Sequence, residues 1–293
     1  IVEETCNISH ACFYLANTAR RFCRGAIRIS KGRTAAFNRS IFQVHPLHYR
    51  YRSFQPIITK PMSSNHASNT RNWNRLNTSV VKCKACPRLI EHCQEIAKIK
   101  RRAFIDEQYW GKPVANFGDP RAELLIVGLA PGAHGANRTG RIFTGDRSGE
   151  WLYRALHLAG FANQRESTHT NDGLELFNCA ITNVCHCAPP LNRPTHEEIQ
   201  NCQPWLTQLV AILPVKVFLA FGQIAWRATA EYLRHHDLYD GPLPKFSHGA
   251  MFHLPDGRIL LGSYHPSQQN TFTGRLTRPM LNRIFKTAKR LLC

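Results

Sequence analysis

Acidic residues are scarce in this chain of 293: 19 Asp and Glu stand against 38 Lys and Arg, a formal charge of +19. A field of that sign argues against a surface built for cationic partners. It attracts polyanions before any specific contact forms, so nucleic acid is the leading partner class. Long apolar runs are missing too. No stretch approaches the roughly 18 residues needed to cross a bilayer, and no charged-then-apolar leader with a cleavage site is recognisable, so no membrane partner is expected. The expected location is the cytoplasm, with nucleoid association if the source is prokaryotic. Methionine is rare, with three in all, and the first is Met62.

What is present is ordinary for a globular protein, with 43% apolar and 19% charged residues, which excludes wholesale disorder. Residues 1–61 carry 10 Lys/Arg and 2 Asp/Glu, a net +8, and show no apolar period. They are expected to be a non-native or disordered basic extension, with the true start at Met62 and a polar leader over 62–81. An Arg-rich, acid-poor targeting peptide is the competing reading. The remainder keeps 28 Lys/Arg and 17 Asp/Glu, a net +11, so the polyanion argument survives without the extension.

From Cys83 onward helices and strands alternate. Pro87 opens a helix with Leu89, Cys93, Ile96 and Lys100 on one face, and Glu123 to Gly128 reads as a buried strand. An amphipathic helix follows Ser148, carrying Leu152, Leu156 and Ala159, and stops at Gly160. Leu176 to Val184 is the next strand. Thr195 and Glu198 form a capping box for a helix whose apolar positions run from Ile199 to Leu213. Val215 to Gly222 and Arg258 to Tyr264 are further strands, separated by a helix over about Gln223 to His236, and a closing helix begins near Thr277. The expected fold is α/β: a three-layer α/β/α sandwich over residues 82–293 with a central, mainly parallel four-stranded sheet.

Three segments rich in Gly, Pro, His, Asn and Asp sit at the carboxyl ends of these strands, where ligands bind in open parallel sheets. They are Gly128 to Asp146, Ala188 to Pro194 and Ser263 to Asn270. Glycines and prolines can merely end strands, but three such segments at corresponding ends point to a shared pocket.

The first and third segments resemble motifs A and B of the uracil-DNA glycosylase superfamily. The long form Gly-Leu-Ala-Pro-Gly-Ala-His-Gly-Ala-Asn-Arg-Thr-Gly-Arg, with Phe-Thr-Gly-Asp after it, is similar to family 5, the type B enzymes. The likeness covers roughly Lys82 to the C-terminus. It implies a monofunctional DNA glycosylase of base excision repair that cleaves the N-glycosidic bond of uracil, and in some members of hypoxanthine or other deaminated or damaged bases. The implied partners are double-stranded DNA and, as a further substrate, single-stranded DNA; a monomer suffices. A non-catalytic iron-sulfur or zinc protein that binds nucleic acid is the alternative from another class.

An enzyme acting on a base in a duplex must extrude it and hold it by stacking and polar contacts. Phe143 is the expected stacking platform, with a core phenylalanine as the plain alternative. The sugar becomes cationic while charge builds on the leaving base, which calls for an anion or positioned water on one side and donors on the other. By resemblance, Asp146 orients the water and stabilises the cation, or else only caps the next helix. Asn192 shares that water or contacts the base, or else makes a turn. His265 donates to a uracil carbonyl, with Gly128, Ala130 and Gly132 lining the base. Ala130 stands near the position where other families place an activating Asp or Asn, which leaves the water-activating residue open. His134, Arg138, Arg141 and Arg193 are candidate phosphate contacts. The segment after His265 offers Arg275 and Leu276 as the group that enters the duplex.

Eleven cysteines include the pair Cys83-Lys-Ala-Cys86, a spacing that in a cytosolic chain more often holds metal than a disulfide. On spacing alone, zinc and an iron-sulfur cluster are equal candidates. The resemblance implies a 4Fe–4S cluster on Cys83, Cys86, Cys187 and Cys202, with Cys185 as the rival fourth ligand and Cys93 and Cys179 as small core residues.

Overall fold

The structure, a computed structural model, describes residues 64–293. The expectations for residues 1–61 fall outside the described residues. One sheet has the order β1-β3-β2-β4-β6-β5. Its strands are β1 Phe117–Gly118, β2 Leu124–Gly128, β3 Cys179–Asn183, β4 Val217–Phe221, β5 Met251–His253 and β6 Ile259–Ser263. The four inner strands run parallel and are buried along their whole length. These are the four strands expected. Two short antiparallel strands, β1 and β5, close the edges and enlarge the sheet to six.

Because successive side chains of a strand point to opposite faces, each buried strand feeds two cores. On one face Leu124, Ile126, Leu219 and Phe221 pack with Leu152 and Leu156 of α4 (Arg147–Leu158) and with Ile284 and Phe285 of α8 (Arg278–Leu292). On the other face Leu125, Val127, Phe218 and Ala220 meet three helices, α1 (Ser64–Val81), α5 (His196–Ile212) and α6 (Gln223–His235). Burying each large apolar side chain contributes about 1.5–3 kcal/mol. Helix α2 (Pro87–Ile99) precedes the sheet, and two short helices, α3 (Ala136–Thr139) and α7 (Gln268–Phe272), lie in the loops after β2 and β6.

Residues 62–81, read from sequence as a polar leader, include α1. Trp73, Leu76 and Val80 recur at helical spacing and are buried in the core that contains Leu206 and Leu209 of α5. These three stand in a segment rich in Asn, Ser, Thr and Arg, whose low mean hydropathy hides the stripe.

The caps fix where elements begin. Thr195 accepts from the Glu198 amide while Glu198 Oε2 accepts from Thr195 N–H at 2.7 Å, so the expected capping box is formed. Asp146 caps α4 and Thr277 caps α8. The parallel arrangement puts Gly128, Asn183 and Ser263 at one rim of the sheet, where all three loops of interest begin.

Candidate active site

The loops leaving β2, β3 and β6 enclose one cavity of about 970 Å³. The first supplies Ala130, Gly132, His134, Phe143 and Asp146, the second Asn192 and Arg193, and the third His265 and Ser267. The convergence expected of three distant segments is what the structure contains.

Phe143 occupies left-handed backbone, φ 53°, a conformation that is strained for a bulky residue. Its ring is 7% exposed: it belongs to the core on one side and lines the cavity on the other. The His265 ring lies 5.6 Å away, centroid to centroid, tilted by 31°. Phe221 meets both rings edge-on. Both rings also line the cavity. Behind it, Gly128 permits close packing: a Cβ there would fall 2.4 Å from Asn183 Oδ1 and 3.1 Å from the Phe143 ring.

Asn183 closes β3 and is nearly buried, yet it lines the cavity and its Nδ2 has no hydrogen-bond partner. A buried donor without a partner is costly unless a ligand accepts from it. Sequence reading absorbed Asn183 into the strand. The available signal was a polar residue at the carboxyl end of an otherwise apolar run.

Asp146 both caps a helix and stands on the cavity wall. Its Oδ1 accepts from Gly149 N–H at 2.9 Å as the cap of α4, and the carboxylate also lines the cavity. Burial pushes its pKa above the usual carboxylate range, opposed by the amides of Gly149 and Ser148 and by Arg138. Gly135 makes room for it, since a Cβ there would lie 2.3 Å from Oδ2. Burial also depresses His265 to about 4, so at neutral pH its imidazole is uncharged and able to donate one hydrogen bond. His134 sits on the wall with Nδ1 3.1 Å from the Tyr109 hydroxyl, its pKa lowered by burial and by Arg101 and Arg138.

Several expected DNA contacts are placed elsewhere. Leu276 is fully buried in the core shared with α4 and α8 and has no surface for a duplex. Arg275 remains exposed, its guanidinium 4.7 Å from the Tyr264 ring. Arg138 turns inward to Glu107 and to the carbonyl of Gly145 at 2.8 Å. Arg141 is 5% exposed and bonded to Asp172 at 2.5 Å, Ser167 at 2.8 Å and Thr144 at 2.9 Å. These two arginines brace the loop rather than face solvent, because each guanidinium finds its partners within the fold. Arg193 is exposed at the cavity edge, where Arg101 and Phe104 also stand. Phe272 is the most exposed aromatic, at 67%, with the Arg147 guanidinium 4.5 Å over its ring.

A second cluster lies between α2, α5 and the loop after β3. Cys83 and Cys86 flank the turn into α2, Cys187 follows β3, and Cys202 is on α5; all are free thiols. The Cys86 thiol is raised by burial, with Asn201 donating to it at 3.8 Å and with Cys202 and Cys83 in its field. Cys187 is raised chiefly by its hydrogen bond with Cys93 and by burial, with Cys202 and Cys83 also in its field. Cys185 hydrogen-bonds with Cys202, while Cys93 packs against Ala188, whose N–H reaches its sulfur at 3.2 Å. Among the described residues, no three His, Cys, Asp or Glu side chains are arranged to hold a metal ion. No described helix is long and apolar enough to cross a membrane.

Comparison with known proteins agrees with this geometry. A family profile described as the uracil DNA glycosylase superfamily matches residues 115–289. The type-5 uracil-DNA glycosylase of Mycobacterium tuberculosis is 50% identical over 218 residues, 74% of this chain and 80% of that protein. The type-5 uracil-DNA glycosylase of Thermus thermophilus is 49% identical over 210 residues, 71% of this chain and 93% of that protein. A type-4 uracil-DNA glycosylase of Pyrobaculum aerophilum is 34% identical over 127 residues, 43% of this chain and 57% of that protein.

Proposed function

Because this chain belongs to the uracil DNA glycosylase superfamily, and within it to the type-5 enzymes, we propose that it hydrolyses the N-glycosidic bond of deoxyuridine in DNA and leaves an abasic site. The observation that carries the reading is the meeting of Phe143, Asp146, Asn183 and His265 around one cavity at the carboxyl rim of the sheet.

The bond between C1′ and N1 breaks with its electron pair leaving on uracil, so the sugar becomes cationic and the base anionic. Water then adds to C1′ and releases a proton. Phe143 stacks on the extruded base. Asn183 Nδ2 and the neutral imidazole of His265 donate to its carbonyl oxygens, which favours the anion as it forms. Asp146, ionised, faces the sugar, stabilises the cation and orients the water, with Asn192 beside it. Arg193 and Arg275 meet phosphate. No lysine lines the cavity among the described residues, so neither a Schiff base nor strand nicking is expected. Hypoxanthine and other deaminated bases are further substrates in this reading, decided by the polar edge that Asn183 and His265 face.

The reading includes a 4Fe–4S group, because four free thiols from three separate segments feel one another's charge and four thiolates are the ligand set such a cluster takes. Cys83, Cys86, Cys187 and Cys202 would hold it, with zinc as the less favoured occupant. Bound there, the cluster supplies a covalent staple between α2, the loop after β3 and α5, and no chemistry in the cleavage. The catalytic domain, which includes α1 packed into its core, acts as a monomer in the cytoplasm and accepts both double- and single-stranded DNA.

Incubating the protein with a uracil-containing oligonucleotide and then alkali tests the reading. Scission by wild type, lost in Asp146→Asn and His265→Ala, is expected. Binding without scission would instead make this a non-catalytic nucleic-acid-binding protein.

A further inference from the structure

Phe143 is the third residue of a four-residue turn, Arg141 to Thr144, closed by Thr144 N–H donating to Arg141 O at 3.2 Å. Its φ of 53° is the conformation that glycine or asparagine normally supplies at this position, and a phenylalanine keeps it only where the surrounding structure holds it. In this turn the ring stands on the cavity wall, 5.6 Å from the His265 ring.

What holds the turn lies outside the cavity. The Arg141 side chain spans it, Nε donating to Thr144 Oγ1 at 2.9 Å, so side chain and backbone close the turn together. The far end of the same guanidinium donates to Ser167 Oγ at 2.8 Å and to Asp172 Oδ2 at 2.5 Å. Ser167 Oγ also lies 2.6 Å from Thr144 Oγ1, and the Ser167 carbonyl accepts from Gly145 N–H at 3.3 Å. Asp172 accepts from Thr168 N–H at 2.8 Å and from Leu174 N–H at 3.0 Å, which folds its own segment around the carboxylate. The side chains of Arg141 and Asp172 are only 5% and 8% exposed. Removing one partner would leave the other charge buried and unpaired, so this pair fixes the turn far more firmly than a surface pair could. Neither Ser167 nor Asp172 lines the cavity.

We infer that Asp172 and Ser167 are positioning residues for base capture. Through Arg141 they keep Phe143 in its left-handed backbone, so the platform for the extruded base depends on a segment between α4 and β3 that has no place on the cavity wall. The inference rests on the glycosylase reading above. An extruded base is held partly by stacking, and a platform that relaxes to ordinary backbone and turns away leaves a smaller fraction of the base docked. The rate at saturating protein then falls with that fraction, because only the docked base reacts.

The test uses the full chain as wild type, Asp172→Asn and Ser167→Ala, with thermal melting of each. Two limits are read at saturating protein on duplex DNA. One is the maximal single-turnover rate of uracil release. The other is the brightening of 2-aminopurine placed beside a slowly cleaved 2′-fluoro-deoxyuridine, which reports the base leaving the stack. Both belong to the folded complex, so a plain loss of stability raises the protein needed and leaves both limits unchanged. Asp172→Asn is expected to lower the maximal rate about tenfold or more, and the brightening with it, as the strained turn relaxes. Ser167→Ala keeps the ion pair and loses one hydroxyl, for a fall of about threefold in the same direction. If Asp172→Asn does not fold, Ser167→Ala alone decides. Limits equal to wild type in every variant that folds, whatever the melting temperature, would overturn the inference and leave the glycosylase reading standing. A lowered rate with full brightening would overturn it as well, since the defect would then lie after base capture. Wild type that releases no uracil removes the reading itself, and the inference with it.

Discussion

The cavity edge and the cysteine-lined corner share one loop, residues 184–195, yet follow opposite rules. At the corner the loop is satisfied: His186 is buried with Nδ1 2.7 Å from Val114 O, Val114 N–H returns to His186 O at 2.7 Å, and Ala188 is tied to Cys93. Glu198, just beyond, caps α5 and holds Arg88 through two contacts of 2.7 Å. A few residues away, Leu191 and Asn192 are left-handed and exposed, and across the cavity Phe143 is strained and Asn183 has an unpaired donor. The corner anchors and the edge displays. On the cavity side an unmet bond and left-handed backbone stand where a ligand can meet them, and the satisfied half of the loop holds the other half in place.

Breaking each side separately sharpens the contrast. The largest effect is expected at the corner: Cys202→Ala should abolish brown colour and cooperative folding together, read by visible absorbance and circular dichroism. A colourless variant with wild-type melting and full activity would remove the structural role of the cluster. At the edge, Asp146→Asn should cost about 10²–10⁴ in rate, within the range for a positioned acid–base or electrostatic group. Its melting should stay close to wild type, because asparagine caps a helix as well as aspartate does. The raised pKa of Asp146 also places the acidic limb of the wild-type pH–rate profile above the value of a free aspartate; a limb below it would contradict the assignment.

His265 gives a stability effect of intermediate size. Its folded pKa of about 4 lies below the unfolded value of roughly 6.5, so between these values the unfolded chain binds a proton that the folded chain does not. Its contribution is complete above about pH 6.5 and is lost as pH falls toward 4, by up to about 3 kcal/mol. Denaturant titrations of wild type and His265→Asn across that interval should show a shallower slope in the variant; parallel slopes would rule the histidine out as the source. The smallest effect belongs to Glu198→Gln, which keeps the capping box but weakens the pair with half-exposed Arg88, for a loss of about 0.5–1 kcal/mol and no change in uracil release.

Much of this molecule was legible before its fold was known, and the reasons are local. The four inner strands are continuous apolar runs, and Thr195 with Glu198 announces a helix start through two hydrogen bonds between near neighbours. The edge strands were not legible: two and three residues are too few to show a period. Helix α1 hid behind its polar composition. At the site, Ala130, Gly132, His134, Phe143, Asp146, Asn192, Arg193 and His265 meet at one cavity, but side-chain direction did not follow from sequence. Arg138 and Arg141 find internal partners supplied by Glu107 and Asp172, thirty-one positions away in each case. Leu276 is drawn into a core assembled by α4 and α8. Asn192 stands in a tight turn, the alternative weighed for it; that the turn exposes Leu191 at a cavity depends on where β3 ends.

The most direct measurement is a structure of the protein with a duplex carrying 2′-fluoro-deoxyuridine, whose fluorine disfavours the sugar cation and so slows cleavage. The account expects the uracil ring against Phe143, its carbonyl oxygens within hydrogen-bond reach of Asn183 and His265, and the sugar facing Asp146. A base still stacked in the duplex, or bound anywhere that leaves this cavity empty, would contradict it.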